Sequence, residues 1–124
     1  MNMKTIILIL LTVCLTFAAG QAIPTSNNTQ LKIVFPNGGE ILSTGSTIQI
    51  RWTSSIPSGK VLLVLFKKGI KHTVISDGTP NNGLFIWNIP PSLPEGSDYR
   101  VRIRLADNLS VNDFSDRDFT IKKK

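Results

Sequence analysis

The chain carries one cysteine, one histidine and one tyrosine among its 124 residues, and each scarcity removes a class of chemistry. Cys14 sits in an N-terminal apolar run, so a chain processed after that run holds no thiol. No disulfide framework and no thiolate metal site can then be built. His72, in "IKHTVIS", has no second imidazole to join it, and a lone histidine in such a setting reads as a surface residue. Nucleophilic catalysis needs an activated group beside a base, and no such pairing is evident. A copper site of the polysaccharide-oxidising kind would need an N-terminal histidine after processing, and neither cleavage position considered below supplies one. Acidic residues number only eight. Their one cluster, Asp107, Asp113, Asp116 and Asp118, has loop-like spacing. Oxygen ligands suffice for calcium, but turn formation and pairing with nearby arginines are the favoured reading. The expectation is a protein without catalysis, metal or cofactor.

Long hydrophobic runs are also missing after the first 20 residues. Lys4 precedes "TIILILLTVCLTFAAG", which is short for a bilayer span and ends in small residues, the pattern of a secretory signal peptide. Cleavage after Gly20 or after Ala22 fits equally. The organisation expected is a signal peptide over 1–22, a polar leader over 23–30 and one domain over 31–124. No integral membrane segment is expected once the signal is gone, and "FTIKKK" lacks the small-residue site and apolar tail of a lipid-anchor signal. Loss of Lys4 leaves 13 basic residues against 8 acids and lowers the net charge from +6 to +5. A secreted protein of that sign is drawn to anionic glycans, phosphates or membrane surfaces. Asn27 and Asn108 begin N-x-Ser/Thr acceptor motifs for N-glycosylation.

No segment shows a helix-length amphipathic period. Instead "LKIVF", "STIQIRW", "KVLLVLFK", "KHTVIS", "LFIWNI", "YRVRIRLA" and "DFTIK" read as seven strands separated by Gly, Pro, Asn and Asp turns. Seven short strands without cysteine predict an all-β fold, an antiparallel sandwich of immunoglobulin or fibronectin type, with a small closed barrel as the alternative. Successive strand residues point to opposite faces. Ile48, Ile50 and Trp52 therefore share the inner face, as do Tyr99, Val101, Ile103 and Leu105, and Phe119 with Ile121. Trp87 beside Phe85 also reads as core. Tyr99 opens its strand where sandwiches of this type place a tyrosine bonded back to the preceding corner. The stretch "PNGGEILSTGST" reads as a scaffold connection. A phosphate cradle would need a following helix, and "STIQIRW" is a strand.

Taken in order, "FPNGGEILSTGSTIQIRW", "VLLVLFKKG", "PNNGLFIWNIP", "GSDYRVRIR" and "DFSDRDFTI" resemble the N-terminal immunoglobulin-like domain of fungal Kre/Knh-type cell-wall proteins and their Ser/Thr-rich anchored relatives. The resemblance implies secretion to the extracellular space or wall and a role in β-1,6-glucan assembly or wall-polysaccharide binding. It implies a wall polysaccharide or wall protein as partner, and no nucleic acid. Relatives often carry the domain ahead of an anchored tail. This chain stops at the domain, from which a diffusible factor is expected.

Two features mark one candidate binding face. Arg100, Arg102 and Arg104 alternate along one strand, about 7 Å apart at the strand repeat, so an anionic polymer can lie along them. The competing reading is a solvated face with pairs to Asp116 or Asp118, each contributing about 0–1 kcal/mol. The strand Val61 to Phe66 is apolar on both parities, so Leu62, Val64 and Phe66 face outward. Either arginine stems cover them or they form a partner surface. A wall-polysaccharide module and a secreted protein-interaction module, adhesive or host-directed, are thus the two functional readings, with an enzyme well behind.

Overall fold

The computed structural model describes residues 30–56 and 58–124. The expected signal peptide over 1–22 with both cleavage positions, the expected leader up to residue 29 and the Asn27 acceptor motif lie outside the described residues. Among those described, nine strands form: β1 (Leu31–Phe35), β2 (Ile41–Ser43), β3 (Thr47–Ser54), β4 (Lys60–Lys67), β5 (Ile70–Pro80), β6 (Leu84–Asn88), β7 (Gly96–Leu105), β8 (Asn112–Phe114) and β9 (Phe119–Lys122). They make two sheets. The smaller has the order β1-β3-β6, and the larger has β2-β9-β7-β4-β5 with β8 added beside β7. Two open sheets face to face are a sandwich and not a closed barrel. Each of the seven segments with strand-like alternation falls on one of these strands. Two more, β2 and β8, have three residues each, too few to show a period. Pairing is antiparallel except between β2 and β9, which run parallel.

Alternation sets the core. The smaller sheet turns Leu31, Ile33, Ile50, Trp52 and Trp87 inward, and the larger meets them with Val61, Leu63, Leu65, Val101, Ile103 and Phe119, all buried. Each such side chain contributes on the order of 1.5–3 kcal/mol of hydrophobic stabilisation. Polar groups inside this layer are bonded, as burial requires. The Trp52 Nε1–H donates to Asn81 Oδ1 at 2.8 Å, and the Asn81 amide donates to Ser54 Oγ at 3.0 Å and to the Ile56 carbonyl at 2.7 Å. One buried asparagine thus ties the core tryptophan to the end of β3 and the loop beyond. Tyr99 is fully buried, its ring stacked on Phe119 at 6.1 Å, and its hydroxyl donates to the Pro94 carbonyl. This is the expected tyrosine corner.

The "PNGGE" stretch is a corner that takes the chain from the smaller sheet to β2 in the larger one, from which β3 returns. The Glu40 carboxylate accepts the Asn37 and Gly38 N–H groups at 2.8 and 2.7 Å. Asn37 and Asp116 exchange two hydrogen bonds, 3.0 and 2.8 Å long. Gly38 has φ +141°, and a Cβ there would lie 2.6 Å from the Arg117 Cβ. These contacts pin the corner against the segment before β9.

Candidate functional site

The outer face of the larger sheet is laid out by the pairing of β4, β7 and β8. Leu62, Val64 and Phe66 stand directly opposite Arg104, Arg102 and Arg100, respectively. On the other side, Phe114 pairs with Arg102 and Asn112 with Arg104. The sequence-predicted residues therefore come together as two parallel lanes, one aliphatic and aromatic, the other cationic. Leu62, Val64 and Phe66 are half-buried, with Val74 of β5 opposite Val64 and the Phe114 ring against Phe66. Phe66 and Phe114 meet edge to face with centroids 5.0 Å apart, and the Arg102 guanidinium sits 5.1 Å from the Phe114 ring centre. Phe114 was not among the residues singled out from sequence, because "NDFS" has no alternation to assign it to a face.

The three arginines differ electrostatically. The Arg100 Nε–H donates to Asp118 Oδ1 at 2.7 Å, an ion pair about half exposed at both ends. Arg102 reaches the Asn112 amide oxygen at 3.3 Å and Arg104 the Leu109 carbonyl at 3.4 Å, both long contacts to uncharged acceptors. Burial of its stem, and then the neighbouring charge of Arg104, hold the Arg102 guanidinium below the ordinary arginine pKa. At the Arg100 end lies a shallow groove of about 410 Å³ lined by Phe66, Lys68, Arg100, Phe114 and Asp118 among others. Lys68 opens the tight turn between β4 and β5 with φ 54°, followed by Gly69 at φ 73°.

Residues 35–121 match the family described as the Kre9/KNH-like N-terminal Ig-like domain. The chain belongs to this family. The match runs from the last residue of β1 into β9 and so takes in the whole outer face just described. Solved structures similar to this chain include the fibronectin(III)-like modules of Clostridium thermocellum CbhA, at 19% identity and a TM-score of 0.41, the alignment covering 77% of this chain and 96% of that one. No curated protein matches it significantly.

Elsewhere in this Kre9/KNH-like domain the residues weighed for chemistry are dispersed. Asp113 turns away from the arginines and accepts the Ile33 N–H at 2.9 Å, linking β8 to β1. Asp116 serves the Asn37 corner and Asp118 serves Arg100. Among the described residues no group of three or more His, Cys, Asp or Glu side chains converges as a metal site would require. His72 is exposed, its ring edge-on to Tyr99 at 6.3 Å. Trp52 and Trp87 are 4% and 5% exposed, so neither indole offers a surface to a sugar ring. Asn108 is exposed in a turn where its Oδ1 accepts the Ser110 hydroxyl at 2.6 Å. Among the described residues no helix is long and apolar enough to cross a membrane.

Proposed function

We propose that this chain is a secreted, non-catalytic β-sandwich module that works at the fungal cell wall, in β-1,6-glucan assembly or in binding wall polysaccharide. The observation that carries the proposal is membership of the Kre9/KNH-like family over residues 35–121, a cell-wall-related module. The outer face of the larger sheet is the contact surface that the geometry favours. It sets Arg100, Arg102 and Arg104 beside Leu62, Val64 and Phe66, so that polar hydroxyls and apolar ring faces of a glycan chain both find partners. Modules of this immunoglobulin-like family are generally non-catalytic.

The test is incubation of the purified protein with β-1,6-glucan, β-1,3-glucan and chitin, with both retention and released sugar measured. Retention without release is expected. Sugar release abolished by a single substitution would sink the non-catalytic reading. Absence of retention on all three would favour the protein-interaction module instead. One observation supports that second reading: β6 pairs with β3 alone and exposes Leu84 and Ile86, 39% and 51% accessible, along its uncharged length.

A further inference from the structure

The charge balance on the outer face is incomplete, and the incompleteness is local. All eight Asp and Glu side chains lie among the described residues, so the segments outside them hold no acidic side chain that could complete it. Two ion pairs form among the described residues, Lys67 with Asp98 at 2.7 Å and Arg100 with Asp118 at 2.7 Å. Asp113, the acid opposite Ile103 in the middle of the ladder, shares the inward parity of Ile103 and is spent on the Ile33 N–H. Arg102 and Arg104 are therefore adjacent cations on one strand face without a carboxylate within ion-pair distance. The neighbouring arginine in the row, Arg100, is already neutralised. Two guanidiniums at successive outward positions, about 7 Å apart along the strand, repel each other until an anion lies between or across them. Guanidinium is the side-chain group best matched to the paired oxygens of phosphate and carboxylate.

We propose that Arg102 and Arg104 form an anion site for an acidic polysaccharide, a glycan chain that bears phosphodiester or carboxylate groups. The proposal rests on the wall-module reading above and narrows its ligand class. The aliphatic lane of Leu62 and Val64 runs beside the two arginines, giving the apolar faces of sugar rings a surface while their charged substituents reach the guanidiniums. A nucleic acid fits less well. Phe66 and Phe114 are engaged with each other and with Arg102, which leaves no open aromatic platform for base stacking.

Affinity is measured against phosphorylated mannan, polygalacturonate, unphosphorylated mannan, β-1,6-glucan and a DNA oligonucleotide over a range of salt concentrations. Three proteins are compared: the wild type, the double variant Arg102→Ser/Arg104→Ser, and Asp118→Asn. Wild type is expected to hold one or both acidic glycans more tightly than unphosphorylated mannan, and the pattern between the two identifies phosphate or carboxylate as the group bound. The double variant is expected to lose about tenfold or more at low salt, and the slope of log affinity against log salt to shrink by about one per arginine removed. Asp118→Asn frees the Arg100 guanidinium and is expected to raise affinity several-fold with a steeper slope. A gain of this kind cannot come from misfolding. Unchanged affinity in both variants overturns the site, as does a DNA oligonucleotide bound more tightly than either glycan. Retention on β-1,6-glucan alone, equal in wild type and double variant, overturns the anion site and leaves the wall-module reading standing. Retention on none of these glycans overturns the anion site, and absence of retention on β-1,3-glucan and chitin as well overturns the wall-module reading.

Discussion

At the scale of single residues, a few polar groups inside the apolar layer are each bonded to a specific partner and so help to fix this fold. Tyr99 is the clearest case. Its hydroxyl is bonded to the Pro94 carbonyl, with the Lys67 ammonium 5.0 Å from its ring centre and Asp98 beside that lysine. Burial raises its pKa above the ordinary 10.0, partly opposed by Lys67 and reinforced by Asp98. A phenol whose folded pKa is raised keeps its proton longer in the native state. Its contribution to stability is therefore fully present below pH 10 and is lost as pH rises through the folded pKa. Tyr99 is the only tyrosine in the chain, so tyrosinate absorbance reports it alone. The native protein is expected to titrate above pH 10, and the denatured protein to titrate near the ordinary value. Equal midpoints in the two states would mean that the corner is open to water. Asn81 plays a comparable part for Trp52, and its burial was not legible from sequence. "PNNG" reads as turn chemistry, and the partners Trp52, Ser54 and Ile56 lie 25 to 29 residues away.

At the scale of elements, strict alternation made the long strands readable and the short ones invisible. Inward parity of Ile48, Ile50 and Trp52, or of Val101 and Ile103, follows from period two alone. β2 and β8 exist because β9 and β7 offer them edges, a condition no three-residue window encodes. The candidate site divides in the same way. The arginine ladder and its apolar neighbours were readable as outward positions. Which arginine is neutralised depends on the register shift between Gly96 and Tyr99 where β9 joins β7, and that is set by tertiary pairing. The "PNGGE" corner was legible as a scaffold connection, but its partners were not. Its function is to hold the segment before β9 through Glu40, Asn37 and Asp116, and Gly38 is packed so closely that no side chain fits. Gly38→Ala must both adopt φ +141° and displace Arg117, which is expected to cost about 1–3 kcal/mol or more. Chemical denaturation measures it, and Gly39→Ala is the comparison. Gly39 at φ +82° has open space around its Cβ position, so it bears the backbone cost without the clash. Equal losses at the two glycines would show that Arg117 yields freely and the corner is not packed.

At the scale of the whole molecule, two sheets of unequal size share one core without a disulfide cross-link. A single cysteine in the chain rules out an internal disulfide, so the sheets are joined by buried apolar contact and by a few polar ties that cross between them. Among these, Ile33 N–H meets the Asp113 carboxylate at 2.9 Å, and the buried Ser115 hydroxyl donates to the Pro36 carbonyl at 2.7 Å while accepting the Val101 N–H at 3.0 Å. Neither sheet can bury its inner face without the other, since Ile50 and Trp52 of the smaller sheet belong to one buried cluster with the inward side chains of β4, β7 and β9. Unfolding is accordingly expected to be a single cooperative transition, as for most small domains. The arrangement of chromophores allows this to be checked. Trp52 and Trp87 both belong to the smaller sheet, whereas Tyr99 belongs to the larger. Tryptophan emission therefore follows one sheet, tyrosine absorbance the other, and far-ultraviolet circular dichroism both. Coincident midpoints from the three signals, unchanged by reductant, are the expected result. Separate midpoints would mean that the smaller sheet detaches while the larger persists, and that neither the shared core nor the polar ties make the two sheets one cooperative unit.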